Sequence, residues 1–155
     1  MKKPPVSRAV AAAAPLLALL AAACQPPPEG IRIRDAWVRL AALKGEPAAA
    51  YFRIEGGEEG TRLVGVSSPL VRRVELHESV TTGGRSRMKA IKRVEFSYQG
   101  RIDFEAAGKH AMLFGLDRSV KEGGSLPLTF AFDAAPPITV NAKVRSASAE
   151  GHESH

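Results

Sequence analysis

From residue 31 onward the chain is a succession of short strand-like runs, and this pattern restricts its fold more than any other feature. The runs contain β-branched and aromatic residues, and most gaps between them contain Gly, Pro or Asp. They span 31–40, 48–55, 61–66, 71–78, 88–96, 101–105, 110–114, 126–133 and 138–144. Sustained helical periodicity is missing from the sequence. Short strands at this spacing predict an all-β domain built as an antiparallel sandwich.

Two pairs of side chains within these runs are potential metal ligands. His77 is followed, after ten intervening residues, by Met88. After twenty-one more residues come His110 and, two positions later, Met112. Imidazole nitrogen and thioether sulfur together suit a soft ion, above all Cu(I), and are poor ligands for Mg or Ca. A lone Met or His is usually core filler or a surface residue, but two separate His and Met pairs are hard to explain by packing. We therefore predict a copper site.

The first pair lies on a predicted β-hairpin. The strand-like runs on either side of residues 81–84, which read Thr-Thr-Gly-Gly, favour a hairpin with a short Gly-containing loop. If all four residues form the loop, His77 stands directly opposite Met88, with Cβ atoms about 5 Å apart. This register predicts that the two side chains share one face of the hairpin.

The second pair lies within a single strand. His110 and Met112 alternate with Ala111 and Leu113, so both potential ligands project from one face while the intervening residues point inward. Their Cα atoms are expected roughly 7 Å apart, a distance that long side chains can close around one ion. The site then requires the two pairs to converge, which the sequence alone does not show.

The same four residues resemble the signature of the periplasmic copper chaperones called PCuAC proteins. That signature is a histidine, ten residues, a methionine, twenty-one residues and then His-x-Met. Surrounding segments are similar as well, and the resemblance covers about residues 31–145: Asp35–Arg39, Ala50–Phe52, Leu63–Pro69, Val74–Glu78 and Met112–Leu116. The chain departs from many members at Ser79, where methionine is common, and at Ala111 and Phe114, which replace the commoner Leu and Met.

The resemblance implies a cupredoxin-like or immunoglobulin-like sandwich over residues 31–145 that binds Cu(I) through the four residues and passes it on by ligand exchange. It also implies a target, the copper centres of respiratory cytochrome c oxidase, and a thioredoxin-like copper protein as co-worker. Thioethers carry no proton and form no disulfides, so their sulfur remains available in an oxidising compartment. The alternative is a lipid-anchored β-sandwich interaction module with no metal role.

Residues 1–23 have the layout of a bacterial secretory signal. Lys2, Lys3 and Arg8 precede an apolar stretch that ends at Ala23 and is shorter than a typical membrane span. The layout predicts export to the periplasm.

Cys24 follows this segment in the position of a lipoprotein cysteine, although Ala21 stands where such signals usually carry leucine and Leu20 lies one position earlier. We expect lipid attachment at Cys24; ordinary signal peptidase cleavage after Ala23 is the alternative. Residues 24–30 are rich in proline and are expected to form a stiff tether to the folded domain.

The last ten residues, 146–155, are small and polar and are expected to be flexible. His152 and His155, together with neighbouring carboxylates, suit a secondary Cu(II) site. A solvated tail without a role is the alternative.

Several classes of function are excluded by composition and motifs. Cys24 is the sole cysteine, so the domain has no internal disulfide and no thiolate for a blue-copper site. The formal net charge is +6, but three of the cations lie in the leader and the rest are scattered without interleaved aromatics, which argues against a nucleic-acid surface. Neither a phosphate-binding loop nor a supported nucleophile and base pair is present, so we predict that the protein is not an enzyme. Membrane contact is expected only through the lipid anchor.

Overall fold

A computed structural model describes residues 30–57 and 61–149. The predicted signal segment, Cys24 and both tail histidines lie outside the described residues. Within the described ranges all regular elements are strands, which confirms the all-β prediction. No helix in these ranges is long and apolar enough to cross a bilayer. The strands are β1 Arg32–Arg39, β2 Ala48–Glu55, β3 Arg62–Ser67, β4 Val71–Thr82, β5 Arg85–Ala90, β6 Val94–Glu95, β7 Arg101–Phe104, β8 Lys109–Leu116, β9 Ser125–Phe132 and β10 Ile138–Arg145.

The strands form one hydrogen-bonded sheet in the order β5-β4-β8-β7-β2-β1-β10-β9-β3-β6, with β8 also paired to β2. Most neighbours are antiparallel, as expected. The β1–β10 pair is parallel instead, and a single parallel bridge joins Phe104 to Lys109. A parallel pair needs a long crossover connection, and the whole domain supplies one between the first and last strands.

The sheet curls around a single apolar core, which gives the sandwich architecture. Alternate residues of each long strand point into this core, among them Ile54, Leu113 and Phe130. The Phe52 ring stacks on Phe104 at 4.2 Å between centroids and meets the edge of Phe130 at 4.7 Å. Since one face of the strands is closed by the core, functional polar groups must occupy the opposite face, which we call the outer face.

The turn between β4 and β5 is shorter than the sequence suggested. Gly83 and Gly84 both have positive φ, 58° and 74°, as a two-residue type I′ turn requires. The pairing therefore shifts by two residues, so that His77 opposes Ala90 and Met88 opposes Ser79. The prediction that His77 stands directly opposite Met88 is wrong, but a two-residue shift preserves the face of each side chain. His77 and Met88 still share the outer face.

The end of this hairpin projects beyond the rest of the sheet. Pairing of β4 with β8 stops at Glu78 and Lys109, whereas β4 and β5 continue to pair up to Thr82 and Arg85. All residues from 80 to 90 are exposed. We call residues 79–88 the hairpin arm. A two-stranded hairpin without packing on a third layer is only marginally stable, so the arm has little to resist bending.

A β-bulge in β1 turns Trp37 onto the outer face. Arg34 pairs with Arg53, but Trp37 pairs with Tyr51, so β1 has one more residue than β2 over this stretch. Asp35 takes a φ of 51°, which Asp tolerates better than most residues. Trp37 is half-buried on that face, and the next residue, Val38, enters the core cluster.

Candidate metal centre

Strand pairing brings together three of the four predicted ligands. His77 on β4 and His110 on β8 are directly opposite each other, with ring centroids 6.1 Å apart. Met112 is opposite Glu75 and therefore diagonal to His77 on the same face. Between the two predicted ligands of β8, Ala111 is fully buried in the core, as predicted from strand alternation.

Met88 lies on the hairpin arm, on the other side of the histidine pair from Met112. It shares the outer face and is 62% exposed. In a flat sheet, the register would hold the Cα atoms of Met88 and Met112 roughly 16 Å apart. Convergence of both sulfurs on one ion therefore requires the arm to curl over the outer face. The sequence did not reveal this requirement because it depends on the position of β4 between β5 and β8.

His110 is oriented by the backbone of its own strand. Its Nδ1 lies 3.1 Å from the carbonyl oxygen of Gly108, so the neutral ring donates its Nδ1–H to that oxygen and keeps the lone pair on Nε2. Metal-binding histidines commonly donate their second nitrogen to a carbonyl or carboxylate in this way. The His110 side chain is buried, which limits competition by water for the free nitrogen.

His77 is oriented by a carboxylate. Its Nε2 lies 3.1 Å from Oε2 of Glu75 and donates a hydrogen bond to it in the tautomer that is protonated at Nε2. Its Nδ1 then carries the lone pair, and this atom is buried with no hydrogen-bond partner among the described residues. Buried polar nitrogen atoms are rarely left unsatisfied, so the orphan Nδ1 points to a ligand outside the polypeptide.

Glu75 is the residue of this site that the sequence reasoning missed. Besides accepting from His77, its Oε1 lies 3.2 Å from Nε of Arg73, whose guanidinium is 4.5 Å from the centroid of the Phe114 ring. Both carboxylate oxygens are thus held in place. The sequence feature that could have identified Glu75 is its two-residue spacing from His77, which places both side chains on one face of a strand.

The resulting cluster offers neutral imidazole nitrogens and thioether sulfur, a donor set that matches Cu(I). The hydrogen bonds to Gly108 and Glu75 leave one nitrogen of each ring free. The carboxylate of Glu75 also fixes the orientation of the His77 ring by accepting a hydrogen bond from its N–H. The residues present therefore fit a copper ion carried as cargo.

Known structures with the same fold define the class of this domain. The copper-bound PCuAC domain from PmoF2 superposes with a TM-score of 0.63 at 21% identity, covering 75% of this chain and 92% of that one. The Cu(I) form of DR1885 from Deinococcus radiodurans gives a TM-score of 0.59 at 25% identity, covering 77% of this chain and 82% of that one. The β-sandwich is thus a PCuAC-type domain, as the sequence signature predicted.

The family is shown by a match over most of the chain. The family model described as "Putative lipoprotein LpqE-like" matches residues 31–144, and the protein belongs to this family. A curated relative, "Putative lipoprotein Lxx21020" of Leifsonia xyli subsp. xyli, is 28% identical over 159 residues, covering 94% of this chain and 95% of the relative.

Proposed function

We propose that the protein is an exported copper chaperone that binds one Cu(I) through His77, Met88, His110 and Met112. The observation that carries this proposal is the direct pairing of the two histidines on the outer face, with an orphaned Nδ1 on one ring and a free Nε2 on the other. The copper-bound forms of the PCuAC domain from PmoF2 and of DR1885 support it.

The proposal includes export to the periplasm and lipid attachment at Cys24. Support comes from the secretory layout of residues 1–23 and from the lipoprotein descriptions of the family and of its Leifsonia relative. His152 and His155 are proposed as a separate Cu(II) site, because imidazole and carboxylate suit the divalent ion better than the monovalent one.

Delivery follows from the exposure of Met88 at the edge of the site. The four ligands lie on the outer face, and Met88 is on an arm that is free of core packing. An acceptor can displace this exposed thioether first and then take the ion by stepwise ligand exchange. The proposed acceptors are the copper centres of a cytochrome c oxidase subunit, with a thioredoxin-like copper protein as a further partner.

Anaerobic titration with Cu(I) and x-ray absorption spectroscopy test the ligand set. We expect one Cu(I) per chain with two sulfur and two nitrogen neighbours. Met88→Leu and Met112→Leu should each remove one sulfur neighbour and weaken binding by roughly tenfold, about 1.4 kcal/mol. The control Val80→Ala changes an exposed arm residue on the opposite face and should leave binding unchanged. Absence of stoichiometric binding would favour the interaction module, and turnover of a redox dye would favour an enzyme.

Glu75→Gln tests the support of His77. The amide retains the shape of the side chain but is a weaker acceptor for the ring N–H, so we expect Cu(I) affinity to fall by about 10- to 100-fold in chelator competition. Glu78→Gln is the matched control, because Glu78 lies on the other face, where its ion pair with Lys109 at 2.8 Å lowers the pKa of its carboxyl group. Equal affinities of the two variants would show that Glu75 does not support the ligand.

A further inference from the structure

Two arginines on the outer face are stacked on aromatic rings beside the candidate metal centre. The guanidinium of Arg145 lies 4.7 Å from the centroid of the Trp37 ring, and that of Arg39 lies 5.3 Å from the Tyr51 ring. The two aromatic rings are 4.6 Å apart. We call these four residues the arginine–aromatic stack. Burial raises the pKa of the Tyr51 phenol, and the neighbouring charge of Arg39 offsets part of this rise.

The arginines of the stack differ from those farther along the same face. There, Arg53 contacts Asp103 at 2.8 Å, Arg34 contacts Glu55 at 3.6 Å, and Arg101 contacts Asp103 at 2.8 Å. Arg39 and Arg145, in contrast, form no ion pair with any carboxylate in residues 30–57 or 61–149. Their positive charges are therefore uncompensated within the described part of the chain.

The stack adjoins the proposed ligands through strand register. Arg39 pairs with Ala49, and Ala49 pairs with Met112, so the Cα atoms of Arg39 and Met112 are roughly 10 Å apart across two strand spacings. Tyr51 follows Ala50, which pairs with Ala111, and it therefore lies level with His110. A protein that takes copper from the outer face must cover the neighbouring stack.

We propose that the arginine–aromatic stack is the docking surface for an acidic face of the copper-accepting protein. Contact with the aromatic rings restrains each guanidinium, and the N–H groups of Arg39 that do not bond to Tyr51 remain able to donate to carboxylates, as do those of Arg145. Uncompensated cations next to the cargo also steer an acidic acceptor into the orientation in which ligand exchange takes place. This inference rests on the proposed chaperone function and adds the chemistry of the partner.

The test compares copper transfer to a protein and to a small molecule. The full chain loaded with Cu(I) is mixed with the apo soluble copper-binding domain of a cytochrome c oxidase subunit II or, separately, with the neutral chelator neocuproine. Arg39→Gln combined with Arg145→Gln should slow transfer to the protein by about tenfold at low ionic strength. The rate of transfer to the protein should also depend less on salt concentration in this variant, because the variant lacks the charges whose steering salt screens in the unmodified chain. The rate of transfer to neocuproine and the Cu(I) affinity should not change.

Two further variants sharpen the comparison. Arg34→Gln combined with Arg101→Gln removes the same charge from the same face but leaves the stack intact. It should change the rate of copper transfer to the protein acceptor by less than about twofold. Arg39→Lys combined with Arg145→Lys keeps the charge but loses the planar guanidinium group. This variant should preserve the salt dependence of transfer to the protein acceptor but transfer copper more slowly than the unmodified chain.

Each remaining outcome overturns the docking proposal in a recognisable way. If the Arg34 and Arg101 changes slowed transfer to the protein equally, the net charge of the outer face rather than the stack would determine the transfer rate. Slower transfer to neocuproine would mean that the stack shapes the metal site itself. Binding to phosphatidylglycerol vesicles that only the Arg39 and Arg145 changes abolish would assign the surface to lipid. A wild-type chain that binds Cu(I) but does not transfer it would refute delivery, and the docking proposal with it.

Discussion

His110→Ala is expected to lower Cu(I) affinity by about a thousandfold, about 4 kcal/mol. His110 is the proposed ligand most firmly set by the fold, because Gly108 fixes its tautomer and the residue is only 5% exposed. The loss should exceed that of Glu75→Gln, since the change removes a donor atom rather than the group that orients one. Anaerobic competition with bicinchoninate measures the affinity.

The matched control for His110→Ala replaces the two histidines of the tail, His152 and His155, with alanine. This chain keeps the proposed Cu(I) ligands and should bind Cu(I) as tightly as the unmodified protein, while losing any separate Cu(II) site. Thermal unfolding of apo His110→Ala establishes that the variant folds. If folded His110→Ala retains full Cu(I) affinity, the copper site lies elsewhere.

Leu113→Ala is expected to lower the free energy of unfolding by about 3 kcal/mol, because it leaves a cavity under the strand that carries His110 and Met112. Leu113 is fully buried on the core face of β8. In a domain of this size the change corresponds to a fall in Tm of roughly 10 °C, measurable by calorimetry of the apo protein.

Copper provides a second measurement on the Leu113→Ala variant. The proposed Cu(I) site exists only in the folded state, so saturating copper should raise the Tm of the variant and of the unmodified protein alike by mass action. Val64→Ala, at a position that is 45% exposed, is the control and should cost less than about 0.5 kcal/mol. If copper stabilised Val64→Ala but not Leu113→Ala, the cavity would have distorted the metal centre as well as the core.

Local patterns predicted the strands well because alternation and turn residues are properties of short segments. Residues 48–55 were predicted with the bounds that β2 has, and the inward direction of Ala111 and Leu113 followed from the two-residue period. The predicted run 88–96 was less accurate, since it divides into β5 and β6 on opposite edges of the sheet. Edge positions depend on distant partners, which a local pattern does not encode.

Turn and bulge geometry limited the prediction of register. Thr81–Gly84 is compatible with either a four-residue or a two-residue turn, and the positive φ of Gly83 and Gly84 selects the shorter one. Alternation along β1 gave no indication of the bulge at Asp35, which exchanges the faces of the residues that follow it. Trp37 therefore faces away from the core and lies in the arginine–aromatic stack.

The sequence by itself determined the all-β class, the identity and spacing of the four proposed ligands, and the face that each would occupy within its own strand. These features depend on residue type and on the two-residue period, both of which are local. Only the tertiary structure decided that β4 lies beside β8, so that His77 meets His110 and Glu75 lies opposite Met112. The physical reason is that strands far apart in the chain become neighbours through burial of a common core, to which residues all along the sequence contribute.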